Sequence, residues 1–318
     1  MTAAGNEHGR RAREIALPSG AGSQATFGPW RPGSDFLTSL ALLAPAAILF
    51  TVVIIIPILQ SMWISLHDWD GLGEPRWVGL ANYVELFGDP QFYVSLRNNL
   101  IWLAVFLLAP PLGLALAMLI NQPLRWMGIA KSLFFVPLVL APVTVGVVFT
   151  WFYDPAFGLL APIARAFGTT APAILSDPSL VTWGIVVAAI WPQTALCMIL
   201  YLAGLTNVDE DLIGAGRIDG AHGFSLFRHV VLPQLRGATF IAFAVSVVGA
   251  LRSFDLIAVM TQGGPFGSSS VLAYQMYEQS IFSYRLGYGA AIAVVLFLIV
   301  AVFIAWYLRR VLGEEARN

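Results

Sequence analysis

Six stretches of this chain run almost without charge for lengths that match a bilayer, since a helix needs about 20 apolar residues to cross the hydrocarbon core. They cover residues 36–66, 98–120, 131–153, 181–204, 237–261 and 286–308. In hydrocarbon every backbone N–H and C=O must find a partner inside the protein, so separate spans of this length fold as helices. Composition points the same way. Of 318 residues, 58% are hydrophobic and 11% charged, whereas a soluble domain carries about 25% charged residues. The expected class is all-α: a polytopic membrane protein with six transmembrane helices.

Residues 1–35 are rich in Gly, Ala, Ser, Arg and Pro with no apolar period, and read as a disordered tail. They are not a cleaved signal peptide, because the apolar run begins late and exceeds an h-region. The first span, 36–66, contains Pro45 and Pro57. Residues 67–97 form a polar segment with aromatic anchors, 98–310 the transmembrane core, and 311–318 a short closing tail. Gly113 and Ala117 offer a small-xxx-small face for close helix approach. Arg10, Arg11, Arg13, Arg31, Arg125, Lys131, Arg217, Arg228, Arg236, Arg309, Arg310 and Arg317 fall on one side. The other side has Arg76, Arg97, Arg165 and Arg285. Positive charge collects inside, which puts both termini in the cytoplasm of a multi-pass protein of the cell's inner (plasma) membrane.

Several chemistries are excluded. Cys197 is the sole cysteine, so there is no intramolecular disulfide or thiolate cluster. His8, His67, His222 and His229 lack metal-ligand spacing, and phosphate-cradling or hydrolase motifs are missing. No metal, cofactor or nucleic-acid partner is implied. Uphill transport by such a chain draws its energy from a partner or an ion gradient.

The polar exception is YLAGLTNVDEDLIGAGRIDGAHGFSLFRHVVLPQLR, from Tyr201 to Arg236. Asn207 and Asp209 are candidate helix N-caps, with Glu210 and Asp211 favourable in a first turn. The first short helix runs to about Ile218, and Asp219-Gly220 ends it, because glycine enters the left-handed region without a Cβ clash. A second helix carries Phe224, Phe227 and Val231 on one face, with Arg228 and His229 turned away. Pro233 stops it and suits the first turn of the next helix. The product is a helix-turn-helix knob at a membrane face, shaped to enter a groove on another protein.

The pattern Glu210-Asp211-Leu212, Ala215, Ile218-Asp219-Gly220-Ala221 and then Leu232-Pro233 resembles the cytoplasmic "EAA" loop of ABC importer permeases, here over 205–236. One departure stands out: the triplet itself reads Gly214-Ala215-Gly216, without the glutamate at 214. The segment Ser253-Phe254-Asp255 followed by Val259-Met260-Thr261-Gln262-Gly263-Gly264-Pro265 resembles the "FD…TxGGP" signature of carbohydrate-uptake permeases. WVGLANYVELFGDPQF, SLFFVPLVLAPVTVGVVFTWFYDPAFGLL and Leu286-Gly287-Tyr288-Gly289-Ala290-Ala291 are similar to the same family. The resemblance implies the transmembrane domain of a type I ABC importer, of the maltose or glycerol-phosphate first-subunit kind. It implies a second homologous permease, a cytoplasmic ABC ATPase dimer that alone binds ATP, and an extracytoplasmic solute-binding protein. The chain itself would be no enzyme. Glu210, Asp211, Leu212, Ala215, Asp219, Gly220, Ala221, Phe224 and Phe227 would form the ATPase-coupling loop.

Charges within spans are costly and mark a pathway or a partner. Arg252 and Asp255 lie three apart on the fifth span, where they would share a helix face and bridge. They are either a polar wall of the solute route or a self-neutralising pair holding helices. Trp191 and Gln193, around Pro192, are either an aromatic-and-amide sugar platform or a kinked helix with a lipid-facing or core Trp. Asn98, Asn99 and Trp102 repeat that logic, with an Asn cap at a helix start as the competing reading. An ion-coupled secondary transporter is the alternative function. It would rest on Asp255 and lacks a visible internal repeat. A membrane-embedded enzyme would need a His, Asp or Ser cluster near one face.

Overall fold

The structure, a computed structural model, describes residues 34–122 and 127–315. The expected tail over 1–33, the turn at Arg125 and Arg317 lie outside the described residues. The chain divides into two units, Met1–Ile55 and Ile56–Asn318. In the first, helix α1 (Ser34–Phe50) leads into a π-helical turn, Thr51–Ile55.

The second unit begins with α2 (Ile56–Ile64) and a small hairpin, β1 (His67–Asp68) against β2 (Arg76–Trp77). Helices α3 (Ala81–Gly88), α4 (Pro90–Phe106) and α5 (Ala109–Ile120) follow. Then come α6 (Met127–Val139), α7 (Pro142–Phe152), α8 (Leu160–Ala166) and α9 (Val181–Leu205). The polar stretch forms α10 (Glu210–Ile218), α11 (Phe224–Leu226) and α12 (Leu232–Gln234), and the chain closes with α13 (Arg236–Leu251), α14 (Asp255–Met260), α15 (Leu272–Tyr277) and α16 (Leu286–Glu315).

Among the described residues, five helical segments are long and apolar enough to cross a membrane: Ser39–Ile64, Pro90–Ile120, Val181–Leu205, Arg236–Met260 and Leu286–Arg310. The sixth expected span is not straight. Helices α6 and α7 meet at 99°. The break falls at Leu140-Ala141, ahead of Pro142, and Ala141 is extended at ψ 141. The ring of a proline disfavours helical backbone in the residue before it, so the uninterrupted span expected over 131–153 gives way to a bent pair. The second span begins at Pro90 instead of Asn98, with Asp89 as its N-cap, accepting from the Gln91 N–H at 2.8 Å.

Two ends of the bundle are distinguished by their hydrogen bonds. At one, Asp89 also accepts from the Tyr288 hydroxyl (2.8 Å) and the Gln275 amide (3.2 Å), tying the start of α4 to α15 and α16. Arg285 pairs with Glu85 at 2.6 Å, and buried Asn82 donates to the Ser65 and His67 carbonyls at 2.9 Å each. The WVGLANYVELFGDPQF segment is thus a cap docked onto the LGYGAA start of α16. At the other end lie the termini of α5 and α9, the polar stretch and the start of α13. The Tyr307 hydroxyl there donates to the Phe240 carbonyl, with the two rings stacked 4.2 Å apart.

Small residues set two of these contacts. A Cβ on Gly113 would stand 2.6 Å from Cys197 Cβ and 2.7 Å from the Met198 backbone nitrogen, so α5 and α9 touch backbone to backbone. Ala117 one turn on is fully buried. The small-xxx-small face is real. A Cβ on Gly287 would run into the His67 carbonyl oxygen, while one on Gly237 would meet nothing. Gly287→Ala is therefore expected to lower stability by about 1–3 kcal/mol, as overpacking of a tight contact does. A thermal-unfolding scan of purified protein checks it, with Gly237→Ala unchanged or slightly stabilised.

Candidate functional site

The polar stretch folds as a capped knob. Asp209 is the N-cap of α10, its Oδ1 accepting from the Asp211 N–H at 2.8 Å. That satisfies one of the four orphan amides of the first turn. Asn207 does not cap this helix; its amide donates to the Ala203 carbonyl at the end of α9. The helix ends at Asp219, and Gly220 takes φ +86. The Ala221 N–H reaches back to the Gly216 carbonyl at 2.9 Å and the Gly220 N–H to that of Arg217 at 3.1 Å. These two bonds are the Schellman closure that a glycine at this place permits. Gly223, a second left-handed residue at φ +53, then starts α11.

The second helix of the knob runs through α11, a π turn at Phe227–Val231 and α12. It packs against α10 at Gly216, where a Cβ would approach Val230 Cγ2 to 2.9 Å. The Gln234 side chain accepts from the Asp209 N–H at 2.9 Å and donates to the Val230 carbonyl at 3.0 Å, closing the knob at its base. The outward apolar surface differs from the expected Phe224–Phe227–Val231 stripe. Phe227 and Val231 are half-buried, Val231 against the bundle. The exposed apolar residues are Leu212 (51%), Ile218 (89%) and Phe224 (72%). The π turn and the packing on α10 rotate the second helix away from an ideal face. Glu210, Asp211, Ala215, Asp219 and Gly220 are exposed beside them, and Ala221 is half-buried in the turn.

The knob is rooted. Leu235, buried to 1% exposure, joins α12 to α13 and packs with Ala109, Ala117, Ile120, Met198 and Tyr201. A Cβ on Gly204 would stand 2.8 Å from Ala238 Cβ. The base of the knob is thus packed into α5, α9 and α13.

On the far side of that root, Trp102, Phe106, Pro142, Gln193, Arg252 and Asp255 help to line a cavity of about 740 Å³. It extends past Ser253 and Phe254 to Phe240 and Tyr307. Gln193 donates to the Ser246 hydroxyl at 3.0 Å, linking α9 to α13. Arg252 and Asp255 share this wall but do not share a helix: α13 ends at Leu251, Arg252 is its C-cap, and α14 begins at Asp255. Among the described residues the two form no ion pair with each other, so the self-neutralising pair is corrected to two separate exposed charges. Trp191 is not beside Gln193 in the cavity. Two residues apart, the side chains leave α9 in different directions, and Trp191 lies 41% exposed, edge-on to Phe149 at 6.0 Å. The indole N–H of Trp102 is buried without a partner among the described residues.

Asn98 and Asn99 are not caps. They sit in the interior of α4, buried, and hold the loop between α14 and α15. That loop contains the TxGGP segment, with Gln262, Gly263, Phe266 and Gly267 all at positive φ. Sequence reasoning missed the rooting residue Leu235, the exposed Ile218 and the Gln234 closure. An apolar residue on the polar face of α10 was the legible signal for Ile218; the other two depend on partners distant in sequence.

The chain matches the family described as binding-protein-dependent transport system inner membrane component over residues 109–317. It is 35% identical over 282 residues to a probable ABC transporter permease protein of Pyrococcus horikoshii, covering 87% of this chain and 97% of that protein. It is 34% identical over 284 residues to the alpha-glucoside transport system permease protein AglF of Rhizobium meliloti, covering 86% and 82%. In fold it is similar to a chain of a bacterial ABC transporter that imports the acidic polysaccharide alginate, with TM-score 0.76, 20% identity, and 87% and 95% of the two chains covered.

Two glycines of α10 separate backbone need from side-chain loss. Nothing lies within 4 Å of a Cβ built on Gly214, and its φ is ordinary for a helix. Gly214→Ala should stabilise by about 0.5–1 kcal/mol, the helix-interior difference between the two residues. Gly220→Ala should destabilise by about 1–2 kcal/mol, the left-handed cost of a Cβ. Opposite shifts in unfolding temperature check the pair.

Proposed function

This chain belongs to the binding-protein-dependent transport system inner membrane components, the permeases of ABC importers, and from that membership we propose that it moves a sugar or related solute through a route shared with a second, homologous permease. An extracytoplasmic binding protein delivers the solute, and a cytoplasmic ABC ATPase dimer supplies the energy. ATP binds to that dimer, and this permease needs no cofactor of its own. Both termini and the knob face the cytoplasm in this reading, which the Lys and Arg placement supports. The carbohydrate class draws support from the alpha-glucoside permease relative and from the Phe254-Asp255 and Thr261–Pro265 segment.

The observation that carries the coupling role is the rooted knob. Leu212, Ile218 and Phe224 present exposed apolar surface together on a short, internally capped polar insert. That surface seats in a cleft of the ATPase. Closure of the ATPases pushes the knob, and Leu235 passes the movement to α9 and α13. Those are the helices that hold Gln193, Arg252 and the cavity wall. Asp209 and Gly220 keep the knob rigid by satisfying its helix ends. The open space around Gly214 means that a glycine in place of the family's glutamate costs no packing within this chain. In the cavity, Gln193, Arg252 and Asp255 offer donors and an acceptor to hydroxyl groups, beside the apolar faces of Trp102 and Phe106. Trp191 stands outside this group, toward lipid or the partner permease.

Gly220→Asp is expected to abolish ATP-driven uptake by at least tenfold while the protein still inserts in the membrane. Solute uptake and ATP hydrolysis measured on the same vesicles check this; normal coupled uptake would remove the knob's role. Phe224→Asp together with Leu212→Asp should also release the ATPase during co-purification.

A further inference from the structure

We infer that Asn98 and Asn99 are positioning residues: the pair clamps the broken fifth span so that Arg252 and Asp255 face the cavity. The inference rests on the reading of that cavity as the solute route. Both amides lie inside a membrane span, 0% and 1% exposed. A buried amide there is costly unless its groups are bonded. Their partners are all backbone atoms of the segment that turns back from α13 to α15.

The geometry divides the work. Asn98 donates both amide protons, to the Ser268 and Ser270 carbonyls, each at 2.7 Å. Asn99 accepts from the Leu272 N–H at 2.9 Å and points its own amide at the Ala250 carbonyl, 3.5 Å away. One residue therefore touches the segment on both sides of the break: Ala250 before Arg252, and Leu272 after the loop. The Ser253 hydroxyl takes the Ala250 carbonyl at 2.6 Å and closes the end of α13. Gln91 and Thr182 add a bond each, to the Gly267 and Ser268 carbonyls.

Between these fixed points the chain passes through Arg252, Ser253, Phe254 and Asp255, all in the cavity wall. Trp102, one turn beyond Asn98 on α4, lines the same cavity. The clamp and the wall thus share one helix. A loop with four left-handed residues has no continuous helical or strand ladder to satisfy its carbonyls. Asn98 satisfies two of them, at Ser268 and Ser270, and Asn99 fixes the loop's exit at the Leu272 N–H; together they set the direction of the two charges. The TxGGP segment leads into the stretch that α4 grips, Gly267 to Leu272.

Thiol labelling tests this on the full transporter in cell membranes. In a Cys197→Ser background, Asp255→Cys is reacted with 2-sulfonatoethyl methanethiosulfonate. Its rate is normalised to that of Phe157→Cys, an 83% exposed position away from the clamp. Asn98→Leu keeps the number and branching of side-chain heavy atoms and removes both donors; it should lower the normalised rate by about threefold or more, the cost of a loosened supporting shell. Asn98→Gln restores two amide protons and should recover the parent rate. If Asn98→Leu does not insert, Asn99→Asp carries the test with the same expected fall, because it loses the donor to Ala250. A smaller fall, or Asn98→Gln labelling as slowly as Asn98→Leu, overturns the clamp alone. A parent Asp255→Cys that never reacts overturns the solute-route reading and the clamp with it.

Discussion

A bilayer interior supplies no water to a backbone amide, and the carbonyls freed around the break in the fifth span are met by the side chains of Asn98, Asn99 and Ser253. The gap between α13 and α14 is closed by Ser253 and Asn99 on the Ala250 carbonyl. The loop after α14 is held by Asn98, Gln91 and Thr182. The segment before α4 is held by Asn82 on the Ser65 and His67 carbonyls. These repairs are why polar side chains are buried in a protein with so few of them. The amide N–H groups bonded in this way stiffen the bundle, and their removal would leave carbonyls stranded at a cost well above that of a lost surface bond.

The same requirement separates the two ends of the molecule. One end is a network in which Asp89 serves α4, α15 and α16 together, with Arg285 and Glu85 beside it. The other is a compact lever. Its tip is apolar and exposed, its two helix ends are capped internally, and its base is Leu235 in the bundle. In the proposed coupling role such a lever must neither fray nor hinge. The Asp209 cap, the Schellman closure at Gly220 and the Gln234 bond hold the three places where it would do so. The cavity lies between the knob's root and the gripped loop.

Several elements were legible in the residues. Charge-free runs of bilayer length led to the spans. Asp209, Gly220 and the acidic first turn led to the knob's first helix, because caps act within a few residues of their own position. Gly113 and Ala117 led to a close helix contact, which is a property of side-chain size alone. The motif resemblance led to the family that the comparisons then showed. Other readings were changed. Arg252 and Asp255 looked like neighbours on a helix face, but the face ends between them. Asn98 looked like a cap because an apolar run begins there, whereas the helix had already begun at Asp89-Pro90. Trp191 and Gln193 looked paired, but α9 turns them apart.

The division has a physical origin. Burial in lipid and helix capping are local: they depend on runs of a few to about twenty residues, and they can be read directly from order and spacing. On those terms the amino-acid order by itself determined the class, the number of apolar stretches, the knob's first helix and its terminal glycine. What a buried amide or an isolated charge does depends on a partner elsewhere in the chain, as when Asn99 meets Leu272 and Ala250. Tertiary structure alone decided the broken fifth span, the shared wall of Gln193, Arg252 and Asp255, and which apolar side chains of the knob remain in the open. Each is an outcome of packing between distant segments, and spacing along the chain does not encode that.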